Sequence, residues 1–210
     1  MRQLTEEETK VKITPLINFM AFVIILVFDQ TLFTKLANYV GRGITQLIQP
    51  PSEDASQLQT DQYVFRLQGS RVYYMPLRLA NLAVSIPRDN LLCVGTQIGK
   101  FTKTGKFRLN ITALDVIAPY ARYKAWIKPN GEMPWLYGGN ALKAHIGRWS
   151  EDCPEHTGVV VFSMDDKPLG FGVTARSTAE ARKLEPTSTV IFRQADCGEW
   201  LREEDTLFTT

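Results

Sequence analysis

The sequence predicts an α+β protein: a mixed α/β N-terminal domain with an antiparallel sheet, followed by a small β-barrel. Three observations point there. Helical and strand patterns alternate through the first half of the chain. Beyond Tyr123 the texture changes to many short strands separated by glycine and proline turns. Between the two, Pro119 stops a helix, which sets the boundary at Tyr120–Arg122. With 210 residues, 44% of them apolar, the chain is long enough to bury two cores without a disulfide or metal staple.

Taken in order, Thr5 to Glu8 reads as a capping box, with Thr5 as N-cap and Glu8 at the third helical position. The amphipathic stripe that should follow is interrupted. It resumes at Leu32, Phe33, Leu36, Ala37, Tyr39 and Val40 and ends at Gly41. Between lies the apolar run of residues 13–28. At 16 residues, with Pro15 and Asn18 inside it, it is shorter than the ~20 residues a spanning helix needs. Three glutamates precede it where a signal peptide carries basic residues. Joining Lys10 directly to Thr31 gives one continuous 15-residue helix with both ends signalled. The segment from Val11 to Gln30 starts with a residue whose codons begin GT and ends with one that has a codon ending AG. We read residues 11–30 as a retained intron; a mature message encoding them in frame would overturn this.

Gln49–Thr60 is a polar surface loop. Residues 63–67 and 71–75 form a hairpin around Gln68, Gly69 and Ser70, and a helix starts with Pro76 at its first position and runs to Ile86. Strands are expected at Leu91–Val94 and Phe107–Ile111, with a short helix at Thr112–Ala118. In the second half, strands fall at Lys124–Ile127, Gly158–Met164, Leu169–Ala175 and Val190–Arg193. Helical stretches fall near Asn140–His145 and after Ser177, whose Ser177–Glu180 spacing is another capping box.

An enzyme is hard to build from these residues. There are two histidines, His145 and His156, and Cys153 with His156 lacks an orienting third group. Zincin, nucleophile-elbow and Walker motifs are missing. Gly170, Gly172 and Ala175 match the dinucleotide fingerprint, but that motif must join a strand to a helix, and here it is the strand itself. The three cysteines are scattered, which indicates a reducing compartment and no structural zinc.

Charge is more telling. Residues 95–150 carry a net charge of +7 and residues 151–210 a net of −6. The usual partner of such a basic stretch is a polyanion. Lys100, Lys103, Lys106 and Arg108 fall within nine residues with no acid among them, and Gly99 and Gly105 bracket a segment expected to be flexible enough to lay these cations along a phosphate chain. Lys124, Lys128, Lys143 and Arg148 follow, interleaved with Tyr120, Tyr123, Trp126, Trp135, Tyr137 and Trp149, as stacking on unpaired bases requires. The alternation in Lys124–Ile127 assigns Trp126 to the core instead. Arg176, after the glycine strand, completes the candidate RNA-binding set. Glu199, Glu203, Glu204 and Asp205 are expected to face a protein partner or solvent.

The opening MRQLTEEET, the block GKFTKTGKFRLNITALDVIAPYARYKAWIKP, and the stretches LYGGNALKAHIGR, GVVVFSMDDKPLGFGV and FRQADCGEWLR resemble the Nip-seven family of large-ribosomal-subunit biogenesis factors. The resemblance covers residues 1–10 and 31–205. Members pass directly from the acidic opening into the first helix, consistent with the intron reading. The resemblance implies that the second unit is a PUA-type pseudo-barrel at residues 122–202, after an N-terminal domain at 1–121 and before a tail at 203–210. It implies a non-catalytic RNA-binding factor for pre-rRNA processing in the nucleus and nucleolus. It places Lys143 and Arg148 in the element that PUA domains turn toward RNA. Its partners would be pre-ribosomal RNA, the pre-ribosomal particle and other assembly factors. The expected protein is a monomer with no cofactor, metal, small-molecule substrate or membrane. The competing readings are an RNA-modifying enzyme carrying an appended PUA domain and a membrane-anchored adaptor using residues 13–28.

Overall fold

A computed structural model describes residues 30–47, 62–87 and 93–202. The capping box at Thr5, the 11–30 segment apart from its last residue, the 49–60 loop and the acidic residues 203–205 lie outside these. A helix runs through residues 30–40 and buries Leu32, Leu36, Tyr39 and Val40, the helical stripe read from the sequence. Gly41, at φ +59°, ends it.

The N-terminal sheet has the order β1-β2-β3-β4 and is antiparallel throughout. β1 (Tyr63–Gln68) and β2 (Arg71–Pro76) form the expected hairpin, in register from Tyr63 opposite Pro76 to Gln68 opposite Arg71. The following helix, Leu77–Val84, starts after Pro76 rather than with it. Its Ala80 packs on Tyr73 and Met75. β3 occupies Thr96–Phe101, not Leu91–Val94; residues 91 and 92 lie outside the described set, and Cys93 and Val94 precede the strand. β4 is Phe107–Leu109. The segment from Gly99 to Arg108 is therefore a hairpin and not a flexible loop, because Phe101 and Phe107 face each other across it and bury against the core. A turn of 3-10 helix at Ile111–Ala113 leads into the helix Leu114–Ile117.

The second sheet curls into a near-barrel of order β6-β10-β9-β8-β5-β7. Its strands are β5 (Lys124–Ile127), β6 (Ala141–Leu142), β7 (Ile146–Trp149), β8 (Gly158–Ser163), β9 (Pro168–Thr174) and β10 (Thr189–Asp196). β5 and β8 run parallel; the remaining neighbours are antiparallel. A helix at Pro129–Leu136 closes one end with Trp135 fully buried. In β9, a Cβ at Gly172 would come within 2.4 Å of the Phe192 carbonyl oxygen, so glycine here serves close strand approach and not a dinucleotide.

Every residue of β8 is buried, because the strand lies between two cores. Val159 and Val161 face the barrel interior, while Val160 and Phe162 face the core shared with the N-terminal domain. Tyr39 seals that seam. Its ring packs edge-on against Phe171 at 5.4 Å, its carbonyl accepts from Arg122 N–H at 2.9 Å, and a Cβ at Gly158 would strike it.

Candidate nucleic-acid interface

The β3–β4 hairpin carries four of the nine candidate cations. Lys100 stands directly opposite Arg108, so both side chains leave the same face, away from Phe101 and Phe107. On the other side of β3, Lys100 stands opposite Arg71, and Arg66 of β1 shares this face. Lys103 and Lys106 sit in the tip. The tip is fixed: Thr102 and Lys106 pair through their backbones at 2.8 Å, and Thr102 Oγ1 accepts from Lys106 N–H at 3.1 Å. All four hairpin cations are exposed.

A second group gathers around a groove of about 740 Å³ beside β7, an edge strand of the barrel. Lys128, Lys143 and Arg148 line it, together with Trp149. Arg182 joins them. The sequence reasoning missed Arg182, which lies in the acidic last third of the chain. Glu151 and Asp152 line it as well. Lys143 begins a 3-10 turn, Lys143–His145, between β6 and β7. Its ammonium donates to the Arg182 carbonyl at 2.9 Å and to that of Leu184. It thus covers carbonyl groups left open after the helix Thr178–Ala181. That helix is capped as expected, with Ser177 Oγ accepting from Glu180 N–H at 3.3 Å. Arg148 lies 4.0 Å over the Trp126 ring and bonds Asp166 at 3.1 Å; Trp126 Nε1 donates to the same carboxylate. Arg182 pairs with Asp152 at 3.2 Å. Lys128 is exposed at the end of β5.

Two candidates lie in neither group. Lys124 is half-buried, with its ammonium 5.5 Å from the Phe162 ring. Arg176 pairs with Glu155 at 3.2 Å.

The aromatic reading needs correction. In β5 the buried residues are Ala125 and Ile127, so Trp126 lies on the opposite face from the barrel core, half-buried between Arg148 and Phe162. Tyr123 and Trp135 are buried. Of the six interleaved rings, Trp149 is the one that lines the groove. Glu199 also departs from expectation. It accepts from Arg193 at 2.6 Å, in a network where Arg193 and Arg202 clamp the fully buried Asp196 at 2.8 and 2.9 Å.

Cys153 and His156 make no catalytic pair. Cys153 is 2% exposed and burial pushes its thiol up to about 11, while His156 points outward toward Glu155. His145 Nδ1 accepts locally from Leu142 N–H at 3.4 Å. Among the described residues, no cluster of His, Cys, Asp or Glu is placed to hold a metal. No described helix is long and apolar enough to cross a membrane.

The model of the NIP7/UPF0113 pre-PUA domain matches residues 29–111, and that of the UPF0113 PUA domain matches residues 123–205. The chain belongs to the NIP7/UPF0113 family. The family resemblance read from the sequence blocks is thereby confirmed, as is the order of an N-terminal pre-PUA domain and then a PUA barrel. Relatives in this family include the 60S ribosome subunit biogenesis protein NIP7 of Saccharomyces cerevisiae, 56% identical across 100% of both chains. The protein of the same name in Schizosaccharomyces pombe is 55% identical over 99% of this chain and 100% of its own. The homologue from Xenopus tropicalis is 47% identical over 99% of each. Among solved structures, a PUA domain protein from Aeropyrum pernix K1 superimposes with a TM-score of 0.50 at 12% identity, over 97% of this chain and 89% of its own. A hypothetical protein from Pyrococcus horikoshii OT3 gives 0.50 at 11%, over 86% and 93%. At such identities the likeness shows the fold alone.

Proposed function

We propose that this protein is a non-catalytic assembly factor of the large ribosomal subunit that binds immature ribosomal RNA, with the groove beside β7 as its principal contact. The relatives are named as 60S biogenesis proteins over their full length, and the PUA fold supports RNA binding. The observation that carries the site is the convergence of Lys128, Lys143, Arg148 and Arg182 on one groove at an open strand edge. Of these, Lys128, Arg148 and Arg182 are exposed, Arg182 beside Asp152; Lys128 and Arg148 are the groups that meet phosphates, with Trp149 available to an unpaired base. Lys100, Lys103, Lys106 and Arg108 lie on the N-terminal sheet and do not line the groove, and Lys124 and Arg176 belong to neither group. The protein acts as a monomer within pre-ribosomal particles in the nucleus and nucleolus.

The test is binding of the full chain to an unstructured RNA oligomer across a salt series. Lys128→Glu with Arg148→Glu should weaken binding roughly tenfold or more and reduce the salt dependence by about two ions. Affinity that is indifferent both to salt and to these substitutions would refute the groove as the contact.

A further inference from the structure

We propose that the N-terminal sheet carries a separate RNA-binding face, and that this face takes the sugar-phosphate backbone of base-paired RNA. It rests on the reading that the protein binds RNA and goes beyond it in naming a second site and the form of RNA held there.

The register builds the face. Lys100 and Arg108 stand directly opposite each other across β3 and β4, and Arg66 shares their face on β1. Side chains so opposed lie about 5 Å apart, and like charges in that arrangement destabilise a sheet. The strands cannot rotate to relieve this, because their other face is held in the core by Val72, Phe101 and Phe107. Beyond the paired strands, the hairpin tip adds Lys103 and Lys106, on a backbone fixed by the Thr102 hydrogen bonds, with Lys106 beside Lys35 of the first helix.

Among the described residues, Arg66, Lys100, Lys103, Lys106 and Arg108 pair with no acid. Among the described residues up to Ala121 there are nine lysines and arginines and one acid, Asp115. A surface of this kind concentrates a polyanion.

The same face excludes base stacking. Its aromatic residue, Tyr73, is 8% exposed beneath the helix Leu77–Val84. Phe101 and Phe107 lie on the reverse side. Recognition of splayed bases needs an accessible ring; recognition of paired RNA works through backbone and shape. A fixed row of cations without a ring meets the second requirement.

The experiment uses the full chain and two probes, a perfectly paired RNA duplex and an unstructured uridine oligomer of equal length, each titrated by fluorescence anisotropy across a salt series. Lys100→Glu with Arg108→Glu should weaken duplex binding roughly tenfold or more and lower its salt slope by about two, while oligomer affinity stays within about twofold. Arg66→Glu, at an exposed position apart from the hairpin, should act in the same direction more weakly. Unchanged duplex affinity in both variants overturns the proposal, as does equal loss toward both probes or loss confined to the oligomer. A wild-type chain that binds the oligomer through the groove but ignores the duplex overturns it alone. One that binds neither probe overturns the RNA-binding reading with it.

Discussion

The barrel groove and the β3–β4 hairpin present similar numbers of cations in different chemical states. In the groove, Lys143 is tied to two carbonyls, Arg148 to Asp166 and the Trp126 ring, and Arg182 to Asp152. On the hairpin, Lys100, Lys103, Lys106 and Arg108 pair with no acid among the described residues. A count of basic residues weighs the two groups equally. What separates them is whether the chain already supplies the counter-charge. A cation with an internal partner serves the fold first and a ligand second; one held among like charges gains most from a polyanion.

Stability measurements can break that distinction. The largest effect is expected at Asp196, fully buried between Arg193 and Arg202. Asp196→Ala leaves both guanidinium groups without their shared anion and should cost about 3–5 kcal/mol in denaturant unfolding. Lys143→Met keeps the stem but exposes two carbonyls that have lost a charged donor, and should cost about 1 kcal/mol. On the hairpin, Lys100→Ala and Arg108→Ala should each shift stability by no more than about 0.5 kcal/mol, while weakening duplex RNA binding. Comparable losses from Lys143→Met and Lys100→Ala would erase the contrast. A gain in stability from Lys100→Ala would sharpen it by showing directly that the row repels itself.

Much of the fold was legible in local pattern. The β1–β2 hairpin followed from two β-rich runs around Gly69, and the helix after Ser177 from its cap. The long strands of the barrel followed from apolar runs ended by turn residues. The misses have a common cause. The helix Pro129–Leu136 contains Pro134 and Gly131, both poor interior residues, and its one local signal was Pro129 at the first position. β6 and β7 have two and four residues, too few to show a period. β3 was displaced because Gly99 and the lysines resemble a loop, although Gly99 is buried within the strand opposite Leu109. At the candidate site, residue types pointed to the groove, but roles did not. Lys143 meets carbonyls some forty positions away in the chain, and β5 does alternate, but with Ala125 and Ile127 on the buried face, a phase that the pattern alone does not assign.

The seam at Tyr39 and β8 makes the molecule a bracket instead of two beads on a string. Because a single core runs beneath both halves, neither can swivel to accommodate its ligand independently. An RNA in which a stem adjoins an open strand at the matching angle would be gripped at both ends, with the second contact formed at high local concentration. An RNA bearing the same two features at another angle would be gripped at only one. Selection would then depend on the bend of the junction, with no base sequence read at all.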